Sequence, residues 1–271
     1  MNSWPFPPNT REVQFDEKWA FVGKKEKHCN AKDPKDDERG DCWDHVAFDP
    51  EHRLVVSVIA GRRTIDHARW LVEDFHQRTG GRIMNLMTSD EHPAYPTAIL
   101  EIYGVEQRRE PTGKPGRPPK PVKVPPPELQ YATVHKTRKK GRVVKVEARV
   151  VFGRVLAVLA ALAVSLVSKV VNTFFLERHN GTDRNRNGRK ARKTYCFSKA
   201  WSVHEAMTYF TMYSYNFCWC VRTLRVKARD GHWQERTPAM AAGLADHVWT
   251  LQEWLCFPGA QRDTARSRGG G

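Results

Sequence analysis

The sequence has little of three features, and each scarcity excludes a class of protein. Among 271 residues there are only six cysteines, none in a CxxC pair, which excludes a disulfide scaffold and favours reduced thiols in a cytoplasmic protein. No basic-then-apolar leader opens the chain, so we expect no secretion signal. The longest apolar run, residues 155–167, has thirteen residues. A bilayer core requires about 20, so this run predicts a buried helix and not a membrane anchor.

Acidic residues are also few. The chain has 30 Asp and Glu against 45 Lys and Arg, which gives a formal net charge of +15. An excess of this size suits a polyanionic partner, and nucleic acid is the commonest one. The alternative is a basic protein without such a partner.

The spacing of apolar residues predicts an α/β protein. Residues 12–60 alternate as three antiparallel strands require, with a tight turn at residues 49–52. A helix capped by Thr64, a buried strand over residues 82–88 and a short helix over residues 93–103 follow. Two strands around a turn at residues 140–141 come next. The apolar helix, a helix that begins near Asn172, a buried helix over residues 201–219 and an amphipathic helix over residues 236–255 follow.

A proline-rich segment divides the chain. Residues 111–127 contain eight of the 17 prolines, and proline is compatible with neither a helix interior nor a central strand. We therefore predict a first part of one catalytic domain over residues 1–106 and a basic linker or insertion over residues 107–130. The second part spans residues 131–260, and residues 261–271 are expected to form a disordered tail.

Three acidic residues lie where an acid is difficult to explain structurally. Asp16 lies inside an apolar strand, Asp90 follows the end of another strand, and Glu177 follows Phe174, Phe175 and Leu176. Such residues can converge on two divalent ions, which neutralise the attacking and leaving oxygens in phosphodiester transfer. Carboxylates are the hard oxygen ligands that Mg²⁺ prefers. We therefore expect Asp16, Asp90 and Glu177 to be both metal ligands and catalytic residues.

Four segments of the sequence resemble one family. FDEKWAFVGKK, TSDEHPAY, LERHNGTDRNRNGRKARKTYCFSK and YNFCW are similar to segments of the insertion-sequence-one type of bacterial DDE transposase, over about residues 12–255. The resemblance implies a ribonuclease-H-like mixed five-stranded sheet flanked by helices, and Mg²⁺ dependence with Mn²⁺ as an alternative ion. It also implies cleavage and strand transfer at the inverted repeats that end the element. By position, Asp16 and Asp90 match the two family aspartates and Glu177 matches the family glutamate.

The resemblance also implies partners. These are double-stranded DNA, both element ends and target, and further copies of the chain assembled on that DNA, near the bacterial nucleoid. Members of the family usually carry a DNA-binding segment before the first aspartate, whereas only 15 residues precede Asp16. Either a separately encoded protein supplies that segment, or this copy is a truncated remnant that only binds DNA. A nuclease of the same fold that only hydrolyses DNA is the enzymatic alternative.

Basic residues follow the predicted glutamate closely. Residues 178–193 contain seven Arg or Lys and one Asp. Arginine can hold phosphate through two hydrogen bonds, so we predict phosphate contacts in this run. The predicted DNA-binding residues are Arg178, Arg184, Arg186, Arg189, Lys190, Arg192 and Lys193, with Arg117 in the proline-rich segment.

Several weaker patterns each allow two interpretations. Residues 113–121, GKPGRPPKP, resemble an AT-hook, although a plain basic linker explains them as well. The two ends of a hairpin could also bring four potential zinc ligands together, namely His28, Cys29, Cys42 and His45. The alternative is that they are ordinary loop and strand residues. For the third acid, Glu101 is the rival to Glu177, whereas Glu91 is a poor substitute because adjacent residues on a strand point in opposite directions.

Overall fold

The computed structural model describes residues 8–108 and 120–257, so the predicted disordered tail, residues 113–119 of the AT-hook segment and Arg117 lie outside the described residues. The strands are β1 (Glu12–Val22), β2 (Gly40–Asp49), β3 (Leu54–Gly61), β4 (Leu86–Asp90), β5 (Val105–Gln107), β6 (Val122–Val124), β7 (Tyr131–Lys139), β8 (Arg142–Phe152), β9 (Val226–Lys227) and β10 (Trp233–Gln234). The α-helices are α1 (Ile65–Arg78), α2 (Ala94–Tyr103), α3 (Val155–Val164), α4 (Phe174–Arg186), α5 (Trp201–Cys218), α6 (Pro238–Ala241) and α7 (Leu251–Cys256).

One mixed sheet organises the molecule, in the strand order β3-β2-β1-β4-β7-β8. β1 pairs antiparallel with β2 and parallel with β4, and β4 pairs parallel with β7. The predicted α/β class is confirmed, but the sheet has six strands and not five. The two strands predicted around residues 140–141 are confirmed as β7 and β8. Strand β8, which folds back on β7 through a tight turn where Lys140 and Gly141 both have positive φ, is the one beyond the five strands that the resemblance implies.

Helices cover both faces of the sheet. On one face, α1 and α2 bury Phe75, Tyr95 and Ile99 against Phe15 of β1. On the other, Leu176 of α4 and Met212 of α5 pack on Phe48 and its neighbours in β2 and β3. Each fully buried aromatic or aliphatic side chain contributes roughly 1.5–3 kcal/mol relative to exposure. The sheet is therefore fixed from both sides, which holds β1 rigidly in the centre.

The helix predicted at residues 155–167 is confirmed as α3, but the prediction that it is buried is wrong. In α3 only Val158 and Leu162 are buried, against Leu86 of β4, whereas Leu156 is 79% exposed. Alanine, valine and leucine occur all around this helix, so its composition is apolar but specifies no single buried face. None of the helices within residues 8–108 and 120–257 is long and apolar enough to cross a membrane.

The predicted C-terminal helix over residues 236–255 is also wrong, because two short helices, α6 and α7, replace it. Gly243 has a φ of +75°, a conformation that ends helix α6. A capping box between Thr250 and Glu253 begins α7. The helices predicted at residues 64–79, 93–103 and 201–219 are confirmed, and Thr64 caps α1 as expected.

Candidate metal centre

The pairing of β1 with β4 places two predicted acids side by side. Phe15 and Ser89 are register partners in this parallel pair, so the residues that follow them, Asp16 and Asp90, come next in line. β4 ends at Asp90, whereas β1 continues to Val22. Asp90 therefore stands at the carboxyl end of its strand against the middle of β1, in the arrangement that the strand-centre and strand-end positions predict.

A third carboxylate joins them, and it is Glu17. One oxygen each from Asp16, Glu17 and Asp90 lie within 4.8 Å of one another. Glu17 points to the opposite face of the sheet from Asp16, where the Arg63 Nε donates to it at 2.8 Å and the Tyr95 hydroxyl donates at 3.3 Å. Glu17 is not among the predicted site residues. The signal that could have identified it is a second acid directly after Asp16 inside an apolar strand.

Helix α4 is attached along β1 by three successive side chains of one strand face. The Gln14 Oε1 accepts from the Leu176 backbone amide at 3.0 Å, and the Asn180 Nδ2 donates to Asp16 Oδ2 at 2.9 Å. Lys18 forms a buried ion pair with Asp183. The contacts advance by two residues along β1 and by three or four residues along α4. Helix α4 therefore runs alongside β1, and its polar face lies next to the acids.

Glu177 lies one helical turn before Asn180, on the same face of α4. Its carboxylate accepts from Thr173 Oγ1 at 2.9 Å and pairs with Lys136 of β7. Its charge contributes to raising the pKa of Asp16, although its oxygens are not among the three that meet. The structure therefore brings Asp16 and Asp90 together and leaves Glu177 beside them, held by a lysine.

The electrostatics of the cluster reflect crowded negative charge. Burial, reinforced by the charges of Asp90 and Glu17, raises the pKa of Asp16 to about 7. Burial and the charge of Asp90 raise the pKa of Glu17 to about 7 as well, although Arg63 opposes this shift. Both acids are thus poised to lose a proton when positive charge arrives, which is how a carboxylate site responds to a divalent ion.

These pKa values predict that Mn²⁺ or Mg²⁺ raises the melting temperature more at about pH 8 than at about pH 6, because only ionised carboxylates bind metal. The raised pKa also means that each of these two acids holds its proton more tightly in the folded, metal-free protein than in the unfolded chain. Their own contribution to stability, measured as the difference between the parent protein and Asp16→Asn, therefore falls as pH rises from about 4 to about 7. Differential scanning fluorimetry with and without the ion measures both effects. Asp16→Asn should remove the metal-induced shift, and an equal shift at the two pH values would contradict the assignment.

The predicted phosphate contacts fall into different environments. Arg178, Arg192 and Lys193 are exposed, and Arg184 is partly buried within reach of the charge of Asp16. The Arg186 guanidinium lies 4.4 Å from the Trp219 ring centre, and Arg189 lines a cavity at the end of α4. These residues continue from the acids along α4 and its following loop.

The prediction that Lys190 contacts phosphate is wrong. Its side chain is 1% exposed, and its Nζ lies 2.8 Å from Asp44 and 3.4 Å from Asp183. Lys18 belongs to the same cluster, 3.5 Å from Asp44. Burial alone would raise the pKa of Asp44, but the charges of Lys190 and Lys18 hold it well below its usual value. Lys190 is therefore a structural cation enclosed beneath the surface.

A second group of potential ligands lies inside this ion cluster. One atom each of Cys42, Asp44 and His204 lie within 4.8 Å of one another, all buried. The two lysines already neutralise Asp44 and Asp183, and burial raises the pKa of the Cys42 thiol, which keeps it protonated. The group therefore lacks the net negative charge that would attract a cation.

The predicted zinc ligands and the rival acids do not assemble into sites. Cys42 and His45 lie three residues apart on β2, hence on opposite faces, and His45 Nε2 is 3.0 Å from the Arg62 carbonyl oxygen, so the zinc set does not meet. Glu101, the rival third acid, pairs with Arg69. Glu91 pairs with His135 and Arg149.

The predicted hairpin of β7 and β8 carries cations that are not among the predicted DNA-binding residues. β7 runs five residues past the partner of Asp90, which at about 3.4 Å per residue is some 17 Å. The exposed tip carries Arg138, Lys139, Lys140, Arg142 and Lys145 and no acid. The signal was the cationic sequence TRKKGR at a predicted turn.

No family model matches the chain, and comparison with the curated proteins finds no match. The fold and the site themselves define an α/β protein with a mixed six-stranded sheet and a cluster of three carboxylates at the centre of that sheet.

Proposed function

We propose that this chain is the catalytic part of a DNA transposase of the ribonuclease-H-like DDE class, which cleaves and transfers strands at the ends of an insertion sequence. The observation that carries the proposal is the meeting of the Asp16, Glu17 and Asp90 carboxylates within 4.8 Å, in the middle of a cationic protein. Residue types and the family resemblance predict that Asp16 and Asp90, which are far apart in sequence, meet at this point, whereas Glu17 takes the place in the cluster that the prediction gave to Glu177.

The strand arrangement supports the fold that the resemblance implies. β1 lies between the antiparallel β2 and the parallel β4, and helices cover both faces. The first aspartate lies within the central strand, the second at the end of its parallel neighbour, and the glutamate on a helix across the sheet. Strand β8 is an addition at the edge and leaves this centre unchanged.

The residues present fit a divalent ion. Asp16 and Asp90 offer hard oxygen ligands on one face, and burial together with the charges of Asp90 and Glu17 raises the pKa of Asp16 to about 7. Glu17 is restrained by Arg63 and Tyr95 and adds negative charge from the other side. When bound, Mg²⁺ or Mn²⁺ would neutralise charge on the oxygens of the reacting phosphodiester.

Glu177 is assigned to the same site. Its half-exposed side chain lies on the face of α4 that reaches Asp16 through Asn180, and Lys136 supplies the positive charge next to it. Asn180 orients the Asp16 carboxylate by donating to one of its oxygens. The ion pair of Lys136 and Glu177 also connects the base of the basic β7–β8 hairpin to α4. The carboxylates therefore lie next to a cationic surface formed by this hairpin and by the arginines of α4 and its following loop.

That surface supplies DNA contacts on two sides of the acids. The β7–β8 hairpin lies beyond β4 in the strand order, whereas α4, which carries the first of the arginines, lies along β1. A projecting two-stranded ribbon can enter a DNA groove, and its cations can hold phosphates. The acids would then face the DNA backbone between the two groups of cations.

Alanine at Arg138 and Lys139 is expected to make the slope of log K against log salt shallower by up to about 2, because each lost phosphate contact removes about 0.9. Fluorescence anisotropy with a labelled duplex over a range of salt concentrations measures this slope. Alanine at Lys227 and Arg229, an equal loss of charge on the exposed β9–β10 hairpin, should change it little. Equal changes for the two pairs would remove the β7–β8 hairpin from the DNA-binding surface.

The direct test incubates the purified chain with Mg²⁺ and a duplex taken from the DNA that borders its coding sequence. Cleaved strands joined to a second DNA molecule support a transposase. Cleavage without joined products would make the protein a nuclease, and binding without cleavage would make it a DNA-binding remnant.

A further inference from the structure

A cavity of about 400 Å³ lies where α4 ends and the following loop leads into α5. Its size falls within the range of sites for small organic ligands. The lining includes three cations, Arg186, Arg189 and Lys199, and two aromatic rings, Tyr195 and Phe197. No acidic side chain is among the residues that line it. This composition selects an anionic ligand with a flat ring.

The aromatic and cationic groups are placed for stacking. Tyr195 is 95% exposed, so its ring contributes almost nothing to the core. Arg186 is held in place because its guanidinium stacks over Trp219, and Lys199 Nζ lies 3.6 Å from the centre of the Phe197 ring. Exposed aromatic rings among fixed cations are the combination that binds unpaired bases in single-stranded nucleic acid.

The cavity lies close to the acids. Arg186 follows Asn180, the partner of Asp16, by six residues on α4, which is about 9 Å along the helix axis. Successive phosphates of one DNA strand advance about 3.4 Å along the duplex axis. For a DNA strand that runs along α4, the cavity is then two or three nucleotides from a phosphodiester bond held at the acids.

We propose that this cavity binds one unpaired nucleotide of the DNA substrate, two or three positions from the bond that is cut. The base stacks on Tyr195, and Arg186 and Arg189 hold its phosphates. The position relative to the cut bond rests on the proposed function, whereas the chemistry of the cavity does not. DNA with a base already out of its stack near the cut site is then the preferred substrate.

The test measures binding in buffer free of divalent ions, so that no strand is cut. The probes are a duplex with one unpaired 2-aminopurine and the fully paired duplex of the same sequence. The parent protein should bind the first about tenfold more tightly, with quenching of the 2-aminopurine fluorescence as it stacks. Tyr195→Ala should abolish this preference and leave affinity for the paired duplex within about twofold.

Two further variants separate stacking from general effects. Tyr195→Phe keeps the ring and should keep the preference, as should Trp70→Ala, which removes an exposed ring from α1. Equal binding of the two duplexes by the parent, or an equal loss on both with Tyr195→Ala, would overturn the proposal. Because no cleavage is required, failure here leaves the transposase proposal intact. If the parent protein prefers the duplex with the unpaired base but cleaves no DNA in the direct test, the cavity is a nucleotide site in a DNA-binding protein that is not a transposase.

Discussion

Asp90→Asn is expected to lower the rate of Mg²⁺-dependent strand cleavage by about a thousandfold or more. Charge stabilisation by a bound metal is worth several kcal/mol, and each 1.36 kcal/mol changes a rate about tenfold. Asparagine keeps the size of the side chain and can still accept the hydrogen bond from the His92 amide at 3.1 Å. The fold should therefore survive while one negatively charged ligand is lost. Cleavage of the bordering duplex, followed on a denaturing gel, measures the rate.

The neighbouring acid provides a matched control for this variant. Glu91 is adjacent in sequence, but its carboxylate pairs with His135 and Arg149 and not with the cluster. Glu91→Gln should therefore keep the rate within about threefold, as expected for a surface pair that contributes little. Asp16→Asn should match Asp90→Asn. If Asp90→Asn cleaves as well as the parent protein, Asp90 is not a metal ligand and the site assignment is wrong.

The sequence predicted the pair of aspartates but not the full cluster. Apolar alternation places Asp16 in a strand and Asp90 at a strand end, and parallel pairing of these strands follows the α/β pattern. Glu17 was missed because alternation assigns it to the opposite face, away from Asp16. A carboxylate oxygen of Glu17 nevertheless comes near the cluster, where Arg63 and Tyr95 hold its side chain.

The apolar helix α3 shows a different limit. Its composition predicts burial, but a run of Ala, Val and Leu does not indicate which side of the helix packs against the rest of the protein. The structure buries only the stripe of Val158 and Leu162. Burial depends on how many sides of a helix find neighbours, and that number is a tertiary property that local composition does not determine.

The basic run after Glu177 is continuous in sequence, but the structure divides it. Arg192 and Lys193 are exposed as expected, whereas Lys190 is enclosed. The partners of Lys190 are Asp183, on the adjoining helix, and Asp44 of β2, which is distant in sequence. No local pattern identifies such a partner, so one lysine within seven cations could not be recognised as structural from the run itself.

Lys190→Met is expected to lower the free energy of unfolding by about 3–5 kcal/mol, because it leaves an unbalanced negative charge among buried groups. Asp44 and Asp183 would then share Lys18 alone, and burial already lowers the pKa of that lysine, as does the charge of Lys190. For a domain of this size the melting temperature should fall by about 10 °C. Urea denaturation followed by tryptophan fluorescence measures the free energy directly.

Two comparisons decide whether charge balance is the cause. Arg192→Met removes an exposed cation from the same run and should change stability by less than about 0.5 kcal/mol. Adding Asp183→Asn to Lys190→Met restores the balance between Asp44 and Lys18, so the double variant should lose less than the sum of the single losses. Lys190 and Arg192 are two positions apart in sequence, and only burial beside Asp44 distinguishes them. If Lys190→Met is as stable as Arg192→Met and its DNA binding depends less on salt, Lys190 contacts DNA, as the sequence predicts, and is not a structural cation.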